Sequence, residues 1–73
     1  MGIGRLMVNG QKEDGVTYAQ AMEIFARYFS SEHPQAAPTI ATQMSIPYET
    51  ACRVLDGKTW PAAREYWINK VMP

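Results

Sequence analysis

This 73-residue chain has one cysteine and one histidine, which leaves few residues for metal binding or nucleophilic catalysis. A single cysteine, Cys52, excludes an internal disulfide and fits a reducing compartment. His33 stands before a proline in an expected loop, and no histidine lies at a catalytic spacing from Cys52. The sequence also lacks a Cys/His cluster for zinc and a glycine-rich phosphate loop. We therefore expect no enzymatic activity, no metal and no other cofactor.

An excess of charge of either sign is missing as well. Seven basic residues balance seven acidic ones, so the formal net charge is +0. Domains that bind nucleic acid through phosphates usually carry a basic excess, because counterion release supplies much of their affinity. The composition therefore indicates no long-range attraction for nucleic acid.

Long apolar runs are absent too. The first ten residues, MGIGRLMVNG, lack the apolar stretch of a signal peptide, and no segment approaches the length of a membrane span. We expect a soluble cytoplasmic protein with no membrane contact. A hydrophobic fraction of 47% is typical of a folded chain, and the length allows one domain with a thin core.

Residues 1–16 are predicted to form an N-terminal arm that is flexible or partly extended, with one short extended segment at Arg5–Val8. Asn9-Gly10 is a common hairpin turn, but the polar residues that follow it are not typical of a second strand. Such an arm is either a mobile tail or a segment that pairs with a partner's strand edge. The single domain is expected to span residues 17–73.

The rest of the sequence predicts an all-α fold, a small bundle of four short helices. A capping box of Thr17 and Gln20 begins a helix over 17–30, and prolines suit the first turns of helices over 38–44, 47–56 and 61–70. Gly57 suits a left-handed C-cap after the third helix. The predicted inner faces are Tyr18, Ala21, Met22, Phe25 and Phe29 in the first helix, and Trp60, Ala63, Trp67 and Val71 in the last.

Residues 38–60, PTIATQMSIPYETACRVLDGKTW, resemble the helix-turn-helix family. Ala41 is the small residue that allows two helices to cross closely. The buried positions of the motif are matched by Ile40, Met44, Ile46, Ala51 and Val54. Ser45 departs from the pattern, because the family usually has glycine at this left-handed turn position and serine adopts it at a cost of about 1 kcal/mol.

The resemblance implies that the 47–56 helix contacts DNA. The residues it places outward are Tyr48, Glu49, Thr50, Cys52 and Arg53, followed by Lys58 and Thr59 just past the helix. Arg53 suits a guanine edge or a phosphate, and Thr50, Lys58 and Thr59 suit the DNA backbone. Alternatively, this surface is a solvated face with a Glu49–Arg53 ion pair one helical turn apart.

In length, charge and expected fold the chain is also similar to small phage-encoded transcription regulators, of the Xanthomonas phage type, that bind host RNA polymerase. This resemblance implies bacterial RNA polymerase as the partner and inhibition or redirection of transcription as the function. The balanced charge, Glu49 and the apolar arm narrowly favour such protein–protein contacts over DNA. The arm residues expected to bind the partner are Ile3, Arg5, Leu6, Met7 and Val8.

The surface of the folded protein separates the DNA and protein interpretations, and one further alternative remains open. A basic stripe that combines Arg53, Lys58 and Arg64 on the folded surface would favour DNA, whereas a contiguous apolar patch that involves the N-terminal arm would favour a protein partner. A structural adaptor, such as an assembly component, is a third interpretation that nothing in the sequence separates from the polymerase-binding one.

Overall fold

A computed structural model describes residues 11–71, and this part of the chain is mostly helical. The elements are β1 (Lys12–Glu13), β2 (Val16–Thr17), α1 (Tyr18–Tyr28), α2 (Ala37–Met44), α3 (Tyr48–Leu55) and α4 (Pro61–Val71). The predicted small bundle of four helices is confirmed. The described residues are mostly helical, and the only β structure among them is the two-stranded antiparallel sheet of β1 and β2.

The hairpin of β1 and β2 is closed by the two residues Asp14 and Gly15. Their φ angles are 55° and 84°, and a type I′ turn requires positive φ at both positions. Glu13 pairs with Val16, which is only 1% exposed. The last residues of the predicted N-terminal arm thus form a hairpin, and Val16 packs into the core. The extended segment predicted at residues 5–8 lies outside the described residues.

Helix α1 begins as its capping box predicts. The Thr17 hydroxyl accepts the Gln20 N–H at 3.1 Å, and the Gln20 side-chain oxygen accepts the Thr17 N–H at 2.8 Å. The helix ends at Tyr28, two residues earlier than predicted. Its buried residues are Ala21, Ile24 and Phe25, so the predicted inner face needs two corrections. Ile24 is buried, and Tyr18 is 39% exposed.

The core takes residues from β2 and from all four helices. It consists of Val16, Ala21, Ile24, Phe25, Ile40, Val54 and Ala63, with the partly buried Met22, Phe29, Met44, Ile46, Leu55, Trp60 and Trp67 around it. The two tryptophans pack against this core as predicted. Val71 was also expected to face inward, but it is 40% exposed because it lies at the end of α4, two turns beyond Ala63.

Within residues 11–71, no helix has both the length and the apolar character needed to cross a membrane.

Candidate functional site

Helices α2 and α3 are joined by the three residues 45–47. Ser45 has φ 58° and ψ 45°, which confirms the left-handed turn residue predicted there. The Ile46 N–H donates to the Ala41 carbonyl at 3.0 Å, and the Pro47 carbonyl accepts the Ala51 N–H at 3.2 Å. Pro47 itself is extended at φ −61° and ψ 144°, so α3 begins at Tyr48 and not at the predicted proline.

The contact between α2 and α3 is made by small and branched apolar side chains. Ala51, Ile40 and Val54 are 0% exposed and Ala41 is 4% exposed. Alanine side chains leave room for two helix backbones to approach closely, and the branched residues fill the space beside them. These four residues are buried as the sequence predicts, and their burial determines which side of α3 faces away from α2.

The exposed side of α3 is narrower than expected. Tyr48 is 55% exposed and Glu49 is exposed, while Cys52 and Arg53 are half-buried. Thr50 was expected to face outward, but it is 2% exposed because it lies next to Ala51 and one turn before Val54 on the buried side.

Thr59 also differs from its predicted place at the DNA backbone. It is 4% exposed, and its hydroxyl donates to Asp14 at 3.3 Å. Lys58, by contrast, is exposed as expected. Of the three backbone-binding candidates, Lys58 alone therefore has the exposure that a phosphate contact needs.

Arg53 forms an ion pair with Asp14 of the hairpin and not with Glu49 as the alternative interpretation predicted. Its Nε donates to Asp14 Oδ2, and its Nη2 donates to Thr50 Oγ1 at 3.5 Å. The hydrogen bond from Arg53 lowers the pKa of the Asp14 carboxyl, against an opposing effect of desolvation. The same hydrogen bond raises the pKa of Arg53. Both side chains remain partly exposed, at 42% and 32%.

Trp60 anchors the hairpin to the connection between α3 and α4. Its backbone N–H donates to the Glu13 carboxylate at 2.8 Å, and its indole N–H donates to the Val16 carbonyl at 2.8 Å. Its φ of 52° is unusual for a bulky residue, and its ring also makes an edge contact with Tyr18 at 5.6 Å between centroids. These contacts hold Asp14 beside the C-terminal half of α3.

The sequence did not predict that Glu13 and Asp14 of the hairpin contact Trp60, Arg53 and Thr59. The Asp14-Gly15 dipeptide is itself a type I′ signal and could have shown the turn. The ion pair joins residues 39 positions apart, and no local pattern predicts such a contact.

The cations past α3 are mixed with acidic residues. The Arg64 Nε donates to the Leu55 carbonyl at 3.3 Å, which places this side chain at the end of α3. Asp56 and Glu65 line the same surface groove as Arg64. Two carboxylates therefore lie beside Arg64 in this groove.

A separate group of aromatic side chains lies between the C-terminal end of α1 and the middle of α4. This aromatic surface consists of Tyr28, Phe29, Tyr66 and Trp67, and neighbouring ring centroids are 5.1 to 6.1 Å apart. Tyr28 is 43% exposed and Tyr66 is 48% exposed. The Lys70 ammonium lies 5.2 Å from the Trp67 ring centroid, a cation–π distance. Exposed aromatic groups of this kind are typical of protein contact surfaces.

The proposed partner-binding residues Ile3, Arg5, Leu6, Met7 and Val8 lie outside the described residues. His33 is exposed, and its backbone N–H donates to the Ser30 hydroxyl. In the part of the chain from residue 11 to 71, no three His, Cys, Asp or Glu residues are grouped so that they could hold a metal ion.

No protein family, no curated protein sequence and no solved structure matches this chain.

Proposed function

We propose that this protein is a DNA-binding transcription regulator in which α2, the 45–47 turn and α3 form a helix-turn-helix. The observation that carries the proposal is the two-sided character of α3. Ala51 and Val54 are buried on one side, and the other side carries Tyr48, Glu49 and Arg53. A short helix held in this way fits the major groove of DNA, where side chains on its free face contact base edges.

The hydrogen bonds of Arg53 support a role in base recognition. A guanidinium has five N–H donors, and Arg53 uses Nε for Asp14 and one donor of Nη2 for Thr50. Donors remain on both Nη atoms, and a bidentate contact to guanine O6 and N7 needs two. The ion pair with Asp14 therefore orients Arg53 without using up its capacity to bind a base.

The mixed charges around α3 favour modest affinity with a shallow salt dependence. Among the basic residues near this face, Lys58 suits a phosphate contact, and Glu49 and Asp14 oppose binding to the backbone. Fewer phosphate contacts release fewer counterions, so the affinity falls less steeply with salt. Sequence preference then depends on base contacts from Tyr48, Glu49 and Arg53 more than on overall attraction.

A protein partner, bacterial RNA polymerase, is the second candidate. The specific observation in its favour is the aromatic surface of Tyr28, Phe29, Tyr66 and Trp67, which belongs to α1 and α4 and not to α3. A regulator can use one surface for DNA and another for the transcription machinery, since the fold alone does not decide between them.

The DNA proposal is tested by selection from a pool of random duplexes, followed by anisotropy measurements on the enriched duplex at two salt concentrations. Arg53→Ala is expected to weaken binding by about 5- to 140-fold, because a bidentate base contact is worth about 1–3 kcal/mol. Arg27→Ala is the matched control. Arg27 also pairs with an acidic residue, Glu23 of α1, and donates to Gln43 of α2. It makes no contact with α3 among these bonds, and its loss is expected to change affinity less than about 2-fold.

Two outcomes would contradict the DNA proposal. One is the absence of any enriched sequence, and the other is equal weakening by the Arg53 and Arg27 variants. Salt-tolerant binding to purified bacterial RNA polymerase, without binding to any duplex, would establish the second candidate instead.

A further inference from the structure

The Asp14 side chain of the β-hairpin forms an ion pair with Arg53 of the proposed reading helix. We propose that Asp14 is a positioning residue, which holds the Arg53 guanidinium in the orientation that recognises one base pair. This inference rests on the proposed function, and it assigns the hairpin a part in DNA sequence specificity.

The backbone of Asp14 is fixed on both sides. Glu13, immediately before it, accepts the Trp60 N–H, and Val16, two residues after it, is buried in the core. The turn between them has only two residues, and Asp is among the few side chains that tolerate a positive φ. The contacts of Glu13 and Val16 therefore fix the backbone of Asp14, and with it the origin of the carboxylate, relative to α3.

The carboxylate is also held from its inner side. Asp14 Oδ2 accepts the hydroxyl of Thr59, which is 4% exposed, and the Nε–H of Arg53. A buried threonine thus orients the carboxylate, and the carboxylate orients the guanidinium. Fixing a long side chain before binding lowers the entropy lost in the complex. The Nε side of Arg53 faces the hairpin, and donors on its Nη atoms remain for a base.

An acidic residue beside a DNA-contacting helix has a second consequence. Its negative charge repels phosphates whatever the sequence, so it weakens binding to all DNA while it orients Arg53 for one base pair. Removal of the charge alone should therefore have opposite effects on the two kinds of binding. A residue that only stabilises the fold would weaken both together.

Asp14→Asn is the direct test, because asparagine has nearly the same shape and also tolerates positive φ. Two duplexes are compared. One is the enriched duplex, and the other differs from it at the one base pair for which the wild type shows a preference that Arg53→Ala loses. We expect discrimination between them to fall by about 2- to 12-fold, the change that corresponds to ordering one long side chain. Affinity for the changed duplex should stay the same or rise.

A double-mutant cycle with Arg53→Ala distinguishes positioning from a structural effect. In the Arg53→Ala background the Asp14→Asn change should no longer alter discrimination, because the side chain that Asp14 orients is gone. Thr59→Val retains the carboxylate but removes its inner hydrogen bond, so it should lose part of the discrimination. This second variant also covers the case in which Asp14→Asn folds poorly by circular dichroism.

Unchanged discrimination in both the Asp14 and Thr59 variants, or parallel weakening of both duplexes, would overturn the proposal. Such a result would leave the proposed function standing if Arg53→Ala still loses the enriched duplex. A wild-type protein that binds no duplex would overturn both.

Discussion

The Arg53–Asp14 ion pair is a partly exposed contact, so its value to overall stability is small. Its side chains are 42% and 32% exposed, and water screens much of their attraction. The pair nevertheless connects the hairpin to the one basic residue within α3. A weak contact in this place matters more for the orientation of a side chain than for the free energy of unfolding.

The pair should make folding stability depend on pH in acid. The pKa of Asp14 is lowered in the folded protein, chiefly by its hydrogen bond with Arg53. Its stabilising contribution is therefore fully present above the unfolded-state pKa, near 4, and is lost as pH falls through the folded-state pKa. We expect Asp14→Asn to lose less stability than the wild type between pH 6 and pH 3, as measured by urea unfolding.

Asp56→Asn is the control for this titration. It also removes one carboxylate near the end of α3, but Asp56 makes no ion pair within residues 11–71. The control leaves the Arg53–Asp14 ion pair in place, so the loss of stability in acid that this pair produces should remain. An Asp14 variant with the same pH dependence as the wild type would show that the ion pair is not formed in solution.

At the scale of elements, α2 and α3 depend on a close approach at Ala41. This residue is 4% exposed and lies beside Ile40, which is 0% exposed. Ala41→Phe is expected to destabilise the protein by about 1–3 kcal/mol, because the added ring has no space between the two helices. Thermal or urea unfolding measures the change directly.

Ala62→Phe is the matched substitution for that experiment. Ala62 lies in α4 and is exposed, so the same added ring meets solvent and should change the free energy of unfolding by less than about 0.5 kcal/mol. Equal effects of the two substitutions would mean that α2 and α3 do not pack as described.

The helices could be predicted from sequence because their signals are local. The Thr17–Gln20 capping box and the prolines at 38, 47 and 61 mark each helix start to within one residue. The hairpin was missed because its strands have two residues each, too short for an alternating pattern. The Asp14-Gly15 dipeptide indicates a turn, but the sequence beside it shows no strand pattern, so a hairpin was not predicted.

The candidate site was less predictable than the helices that carry it. The exposure of Tyr48, Glu49 and Lys58 followed from the motif, but Thr50 and Thr59 proved to be buried. Their burial depends on which neighbours pack over each turn, and Asp14 reaches Thr59 from 45 residues away. Long-range contacts of this kind arise only when the hairpin closes on the helices, so a linear pattern does not contain them.

At the scale of the whole molecule, residues 11–71 carry two exposed surfaces that we propose as partner-binding sites. One is the free side of α3 with Tyr48, Glu49 and Arg53, and the other is the aromatic surface of α1 and α4. The zero net charge fits a protein whose selectivity depends on a few oriented contacts and not on a broad basic field. Binding of DNA to the α3 side is the main proposal for this molecule.

The most direct test is to map the contact with the enriched duplex by NMR on ¹⁵N-labelled full-length protein. We expect the largest shift changes at Tyr48, Glu49, Cys52 and Arg53, with the Trp67 indole signal unchanged. Changes concentrated at Tyr28, Tyr66 and Trp67, with α3 unaffected, would contradict the account and identify the aromatic surface as the place where the duplex binds.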